Sequence, residues 1–204
     1  MADMVDEPLA YFRRWLPSRA DVFHRLEEEA RNEGIPIVGP VVGKLLYMLA
    51  RLSNARQIVE MGTAGGYSTL FMANACRHTG GRIITYETND ALARRARDTI
   101  AGEGLSSVAE VRCEDALEAI GALKSPLDMI FIDIEKKDYV RALPSCARLL
   151  RQGGLLVADN TGFADAHTFN QAVFESPQWE GINLWSYLPD HSPEHDGLSL
   201  ALKV

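Results

Sequence analysis

Four side chains that can carry chemistry stand just past two apolar runs. Asp133 follows Met129–Ile132, Lys136 comes three residues after it, and Asp159-Asn160 follows Leu155–Ala158. Two carboxylates and an amide carbonyl are hard oxygen donors, which suit Mg²⁺ and similar divalent cations. An octahedral ion held by three protein oxygens keeps three positions open, enough for two neighbouring acceptor oxygens and one water. The competing reading of Asp159-Asn160 is a plain turn, a common use of Asp and Asn. The independent third donor at Asp133 argues against it. A cation there disfavours a second positive charge beside it, which would push Lys136 toward its neutral, proton-accepting form. Lys136-Lys137 as a solvated helix start is the bland alternative.

The second feature is E-M-G-T-A-G-G-Y-S-T at residues 60–69, directly after Gln57-Ile58-Val59. A dinucleotide fingerprint needs G-x-G-x-x-G with a pyrophosphate on the helix N-terminus. Here Gly62, Gly65 and Gly66 give G-x-x-G-G, and Glu60 puts a negative charge where phosphates are unwelcome. A ligand with a cationic end fits better. S-adenosylmethionine has an ammonium, a sulfonium and ribose hydroxyls but no phosphate. Glycines let the backbone approach it closely, and Glu60 helps to orient its charged end. Glu87, after Arg82–Tyr86, is placed to accept from the ribose hydroxyls, and Asp115-Ala116 borders the adenine.

These residues need strands that end side by side. From Gln57 onward, apolar runs alternate with amphipathic stretches: Gln57–Val59, Ser68–Cys76, Arg82–Tyr86, Asp90–Ile100, Val108–Arg112, Asp115–Leu123, Met129–Ile132, Tyr139–Leu150 and Leu155–Ala158. That rhythm means crossover units and a parallel sheet covered on both faces. Ligands of such sheets bind beyond the carboxyl ends of the strands, where the acids and glycines above all stand. For any one of those acids, capping the following helix is the ordinary alternative. Ile182–Leu188 and Leu198–Val204 have no helix between them and are expected as an antiparallel pair at one edge. Upstream, Val22, Phe23, Leu26 and Ala30 recur at helical spacing until Gly34 and Pro36, and a second helix is expected around Lys44–Leu52.

Composition sets the frame. The chain has 204 residues, 47% hydrophobic and 24% charged, with net charge −7 and no Lys/Arg run. This suits one globular domain and argues against nucleic acid or an anionic membrane as partner. Cys76, Cys113 and Cys146 form no C-x-x-C, so neither a disulfide framework nor a zinc site is expected. No basic-then-apolar leader opens the sequence, and no apolar run approaches the roughly 18–20 residues of a membrane helix. A cytoplasmic protein is the expectation.

E-M-G-T-A-G-G-Y-S-T, Y-E-T-N, F-I-D-I-E-K-K-D-Y and V-A-D-N together resemble the cation-dependent O-methyltransferases, which include the catechol and caffeoyl-CoA enzymes. The resemblance runs from about Val38 to the end, about four-fifths of the chain. It implies a Rossmann-like class I methyltransferase fold: seven mostly parallel strands with an antiparallel last strand, and helices on both faces. Residues 1–37 would form a helical cap on a 38–204 core within one domain. Val38, Glu60, Gly62, Ser68, Glu87, Asp115, Ala116 and Asp133 would line the S-adenosylmethionine site. Asp133, Asp159 and Asn160 would hold the cation (Mg²⁺ first, Ca²⁺ or Mn²⁺ as alternatives), and Lys136 matches the catalytic lysine. Lys136, Asn160 and Asp190 would touch the acceptor. Asp190 is reached by the same count back from Asp196-Gly197-Leu198 that finds the catechol enzyme's hydroxyl-binding glutamate.

The expected acceptor is a catechol-like or other small phenol, and the expected assembly a homodimer. After Asn160 the chain reads T-G-F-A-D-A-H-T, without the Leu-Trp insertion of the caffeoyl-CoA type, so an amine or hydroxyl on another scaffold stays open. The alternatives are a metal-independent methyltransferase of the same fold and a non-catalytic binder. Tyr139 is read as packing or polar. His191 and His195 are read as a polar loop rim, and Trp179 and Trp185 as acceptor wall or core.

Overall fold

The computed structural model describes residues 3–124 and 126–204; Met1, Ala2 and Ser125, within the expected 1–204 domain, lie outside it. Three helices come first: α1 (Pro8–Arg13), α2 (Asp21–Glu33) and α3 (Gly39–Leu52). The alternation follows as β1 (Gln57–Met61), α4 (Tyr67–Thr79), β2 (Arg82–Tyr86), α5 (Asp90–Gly102), β3 (Ala109–Arg112), α6 (Ala116–Ala122), β4 (Leu127–Ile132), α7 (Tyr139–Leu149) and β5 (Leu150–Ala158). Then come α8 (His167–Glu175), β6 (Trp179–Tyr187) and β7 (His195–Lys203).

One seven-stranded sheet has the order β3-β2-β1-β4-β5-β7-β6. β1 to β5 pair in parallel, and β7 runs antiparallel to both β5 and β6. The inner strands are mostly apolar because both faces are covered, with Glu60 a buried exception in β1. Ile58, Ile83, Met129, Phe131 and Val157 pack toward α2–α5. Val59, Met61, Ile130, Ile132 and Leu156 pack toward α6–α8. The Rossmann-like expectation therefore holds.

One local result differs from the sequence reading, while the antiparallel β6–β7 pair at the sheet edge agrees with it. α3 begins at Gly39, five residues before Lys44, because Pro40 sits in the first turn, where a missing N–H leaves no bond unmade. β7 is inserted between β5 and β6, with Ala158 facing Ser199. The start of β7 is thereby carried to the carboxyl end of β5, beside Asn160.

Candidate functional site

The turn after β1 is bare because its neighbours leave no room. Gly62 has φ 99°, and a Cβ there would stand 2.0 Å from the Asp133 carbonyl oxygen. That closeness brings the ends of β1 and β4 together. Above them opens a cleft of about 530 Å³ whose walls include Val38, Gly62, Ser68, Glu87, Asp115, Ala116, Asp133 and Lys136. Of the expected cofactor residues, only Glu60 does not reach it. Glu60 is fully buried, with Ser68 Oγ donating to one carboxylate oxygen at 2.5 Å and Thr69 Oγ1 to the other. Burial pushes its carboxyl up to about 7, against the opposing pull of the Ser68, Thr69 and Thr85 hydroxyls. Ser68 gives its only O–H to Glu60 and so faces the cleft as an acceptor, a complement to an ammonium group.

Glu87 is set by two backbone donors, Ala64 N at 2.9 Å and Asn89 N at 2.8 Å, one to each oxygen. Each oxygen keeps a lone pair for a hydroxyl. Helix capping falls elsewhere: Asn89 caps α5, and Asp115 caps α6 through Oδ1. For Asp115 the ordinary capping role is therefore real, beside its place on the cleft wall. Removing the Glu87 acceptor is expected to weaken S-adenosylmethionine binding by about 1–3 kcal/mol in Glu87→Ala, and by less in Glu87→Gln. Calorimetry checks this; unchanged affinity, or tight NAD(H) binding by the wild type, would refute the cofactor reading.

The acidic cluster sits at the next two strand ends. Asp133 N donates to Met61 O at 2.8 Å and Asp159 N to Ile132 O at 3.1 Å, so the two aspartates end adjacent strands in register. Partial burial and the charge of Asp159 raise the Asp133 carboxyl to about 6, while Lys136 and His191 oppose that rise. About a quarter of the Asp133 side chain stays open. Lys136 Nζ lies 3.1 Å from Asp133 Oδ1 with a similar share exposed, so it turns back to the site and does not extend into solvent. Tyr139 is both packing and polar. It is buried edge-to-face against Phe169 and donates its hydroxyl to the Asp159 carbonyl at 3.0 Å.

Asn160 has φ 51°, a conformation asparagine tolerates better than most residues. Its Nδ2 donates to Asp196 Oδ2 at 2.6 Å and Ser192 O at 3.2 Å. Both partners only accept, so the amide is turned with Oδ1 away from them, as a metal-facing carbonyl requires. Asp159 is 1% exposed and meets His191 Nε2 at 2.9 and 3.0 Å. Among the described residues no three His, Cys, Asp or Glu side chains are placed to hold a metal. The candidate set has only two carboxylates and is completed by the Asn160 amide, a donor chemistry that fits a hard cation.

Two expectations change here, and the alternatives left open for Trp179 and Trp185 are told apart. Asp190 does not stand free for an acceptor hydroxyl: Arg13 reaches its Oδ1 at 3.0 Å and Arg19 its Oδ2 at 3.9 Å. The physical reason is the N-terminal segment, which lies across the β6–β7 loop; Arg13 also bonds Glu194 and the Tyr187 hydroxyl. His191 is no polar rim but a buried partner of Asp159, whereas His195 stays exposed on β7. Trp179 is core, while Trp185 is 69% exposed and lies against Gly162.

Fold and cleft together define a Rossmann-like methyltransferase domain. A profile of the O-methyltransferase family matches residues 21–173. The chain belongs to the O-methyltransferase family. It is 41% identical over 127 residues to a catechol O-methyltransferase of Niastella koreensis, covering 60% of this chain and 57% of that protein. A catechol O-methyltransferase of Mycobacterium tuberculosis is 35% identical over 119 residues, 58% of this chain and 54% of the relative. The chain thus matches just over half the length of these curated relatives. Among solved structures, an O-methyltransferase from Bacillus cereus in complex with SAH superposes with TM-score 0.85 at 26% identity, covering 96% of each chain. One from Streptomyces achromogenes involved in tomaymycin synthesis, in complex with SAM, gives TM-score 0.85 at 26% identity over 96% of this chain and 95% of that one.

Proposed function

We propose that the protein is an S-adenosylmethionine-dependent, divalent-cation-dependent O-methyltransferase acting on a hydroxyl of a catechol-like or other small phenol. The observation that carries the reading is Lys136 beside Asp133 on the wall of the cofactor cleft, with Asp159 and Asn160 at the next strand end. When bound, the cation would supply Lewis-acid stabilisation of a phenolate, and S-adenosylmethionine the methyl group. Asp133, Asp159 and the Asn160 carbonyl are the residues that would hold the cation. Asp196 keeps that carbonyl aimed by holding the amide nitrogen. A phenol has a pKa near about 10, so a proton must be removed at neutral pH. Lys136 is the group we assign to accept it. Ser68, with Glu60 behind it, and Glu87 hold the two ends of the methyl donor and thereby fix its position.

A metal-independent methyltransferase is the second reading. Its support is that each carboxylate already has an internal hydrogen-bond donor, Lys136 for Asp133 and His191 for Asp159. The first reading is extended to a cytoplasmic homodimer. No helix among the described residues is long and apolar enough to cross a membrane, and edge strand β6 exposes Ile182, Leu184 and Trp185. The testing experiment incubates catechols and their mono-hydroxyl analogues with S-adenosylmethionine, with and without Mg²⁺, followed by mass spectrometry. Methylated catechol only with Mg²⁺ supports the first reading; equal product without it supports the second.

A further inference from the structure

His191 lies in the loop between β6 and β7, yet it is only 4% exposed. Its Nδ1 lies 2.6 Å from the Pro193 carbonyl, and its Nε2 lies 3.0 and 2.9 Å from the two oxygens of Asp159. A carboxylate only accepts, so Nε2 is the nitrogen that donates to Asp159. Its backbone is seated as firmly. The His191 N–H donates to Leu188 O at 3.0 Å. A Cβ on Gly39 would come within 2.9 Å of His191 N and 2.7 Å of Asp190 O, so the loop rests directly on the start of α3. Asp159, for its part, is tied at its N–H by Ile132 O and at its carbonyl by Tyr139. With that backbone held, the carboxylate is placed by its two side-chain torsions, the terminal one being broad and weakly restrained in itself. The imidazole N–H between the two oxygens removes that freedom.

We propose that His191 is a positioning residue that orients the Asp159 carboxylate as a cation ligand, a step that rests on the cation-site reading above. Each Asp159 oxygen accepting from the ring keeps a further lone pair for the ion. Outer partners of this kind typically change metal affinity by about 10–100-fold.

The test titrates Mn²⁺ alone into the full, chelator-stripped chain and reads free Mn²⁺ by electron paramagnetic resonance. Wild type, Asp159→Ala, His191→Ala and His191→Gln are compared, with melting temperature and S-adenosylmethionine affinity as folding controls. Asp159→Ala is expected to lose the site and His191→Ala to bind about 10–100-fold more weakly. His191→Gln, whose amide N–H reaches the place of Nε2, should recover most of the affinity. If His191→Ala does not fold, His191→Leu fills the space without a donor and takes its place. Lost binding in Asp159→Ala with wild-type affinity in the donor-less His191 variant overturns the proposal. Unchanged binding in Asp159→Ala overturns the cation-site reading itself, and the proposal with it.

Discussion

Replacing Lys136 with methionine is expected to lower kcat by about 10²–10⁴-fold at neutral pH, the range of a lost general base. Methionine keeps the length and apolar stem of the side chain while removing the nitrogen that now lies 3.1 Å from Asp133. The loss should shrink as pH rises, because the phenol ionises by itself near about pH 10 and solvent can take its proton. The affinity for S-adenosylmethionine should stay close to wild type, since the proposed reading assigns the donor's two ends to Ser68 on α4 and Glu87 just past β2. A pH series of kcat for both proteins, with cofactor affinity by calorimetry, checks this. Near-normal turnover at neutral pH would reduce Lys136 to an ion-pair partner of Asp133.

For Asp159→Ala the expectation is a loss of cation-dependent turnover of at least about 100-fold, no less than the outer partners of a ligand typically cause. Cofactor affinity should be largely spared, because Asp159 is not among the residues lining the cleft. The alanine also leaves the buried His191 ring without its partner, a separate stability penalty of about 1–3 kcal/mol. Asp159→Asn separates the two effects: it retains an acceptor for the ring but removes the charge that a cation needs. Both variants should show rates that no longer respond to Mg²⁺. If Asp159→Asn keeps a normal Mg²⁺ response, Asp159 serves the His191 contact and not the ion.

The sheet was legible in the sequence wherever a strand is buried on both faces. Met129–Ile132 leaves no alternation to misread, Gln57–Val59 falls within β1, and Arg82–Tyr86 matches β2 at both ends. Gly62 was legible too, because few backbones need that turn. Helix starts were less so: Pro40 looks like a breaker in the chain and is a first-turn residue in the fold. What the sequence could not yield was contact between distant residues. His191 meets Asp159 across 32 positions, and Arg13 meets Asp190 across 177. Both contacts depend on loop paths: β7 inserting beside β5, and the N-terminal segment folding over the β6–β7 loop. No local periodicity encodes either. A weak signal did exist for Asp196, which shares its Asp-Gly-Leu context with the count used for Asp190. Its task of holding the Asn160 amide appears only once β7 is in place.

On the proposed reading, methyl transfer to a catechol needs both the cofactor in the glycine-turn cleft and a divalent cation at Asp133, Asp159 and Asn160. The most direct measurement is the initial rate of transfer from S-adenosylmethionine to catechol, starting from exhaustively chelated protein, as free Mg²⁺ is raised. No turnover is expected at the outset, and a saturable rise as Mg²⁺ is added. A full rate in the chelated protein, unchanged by added Mg²⁺, would contradict it.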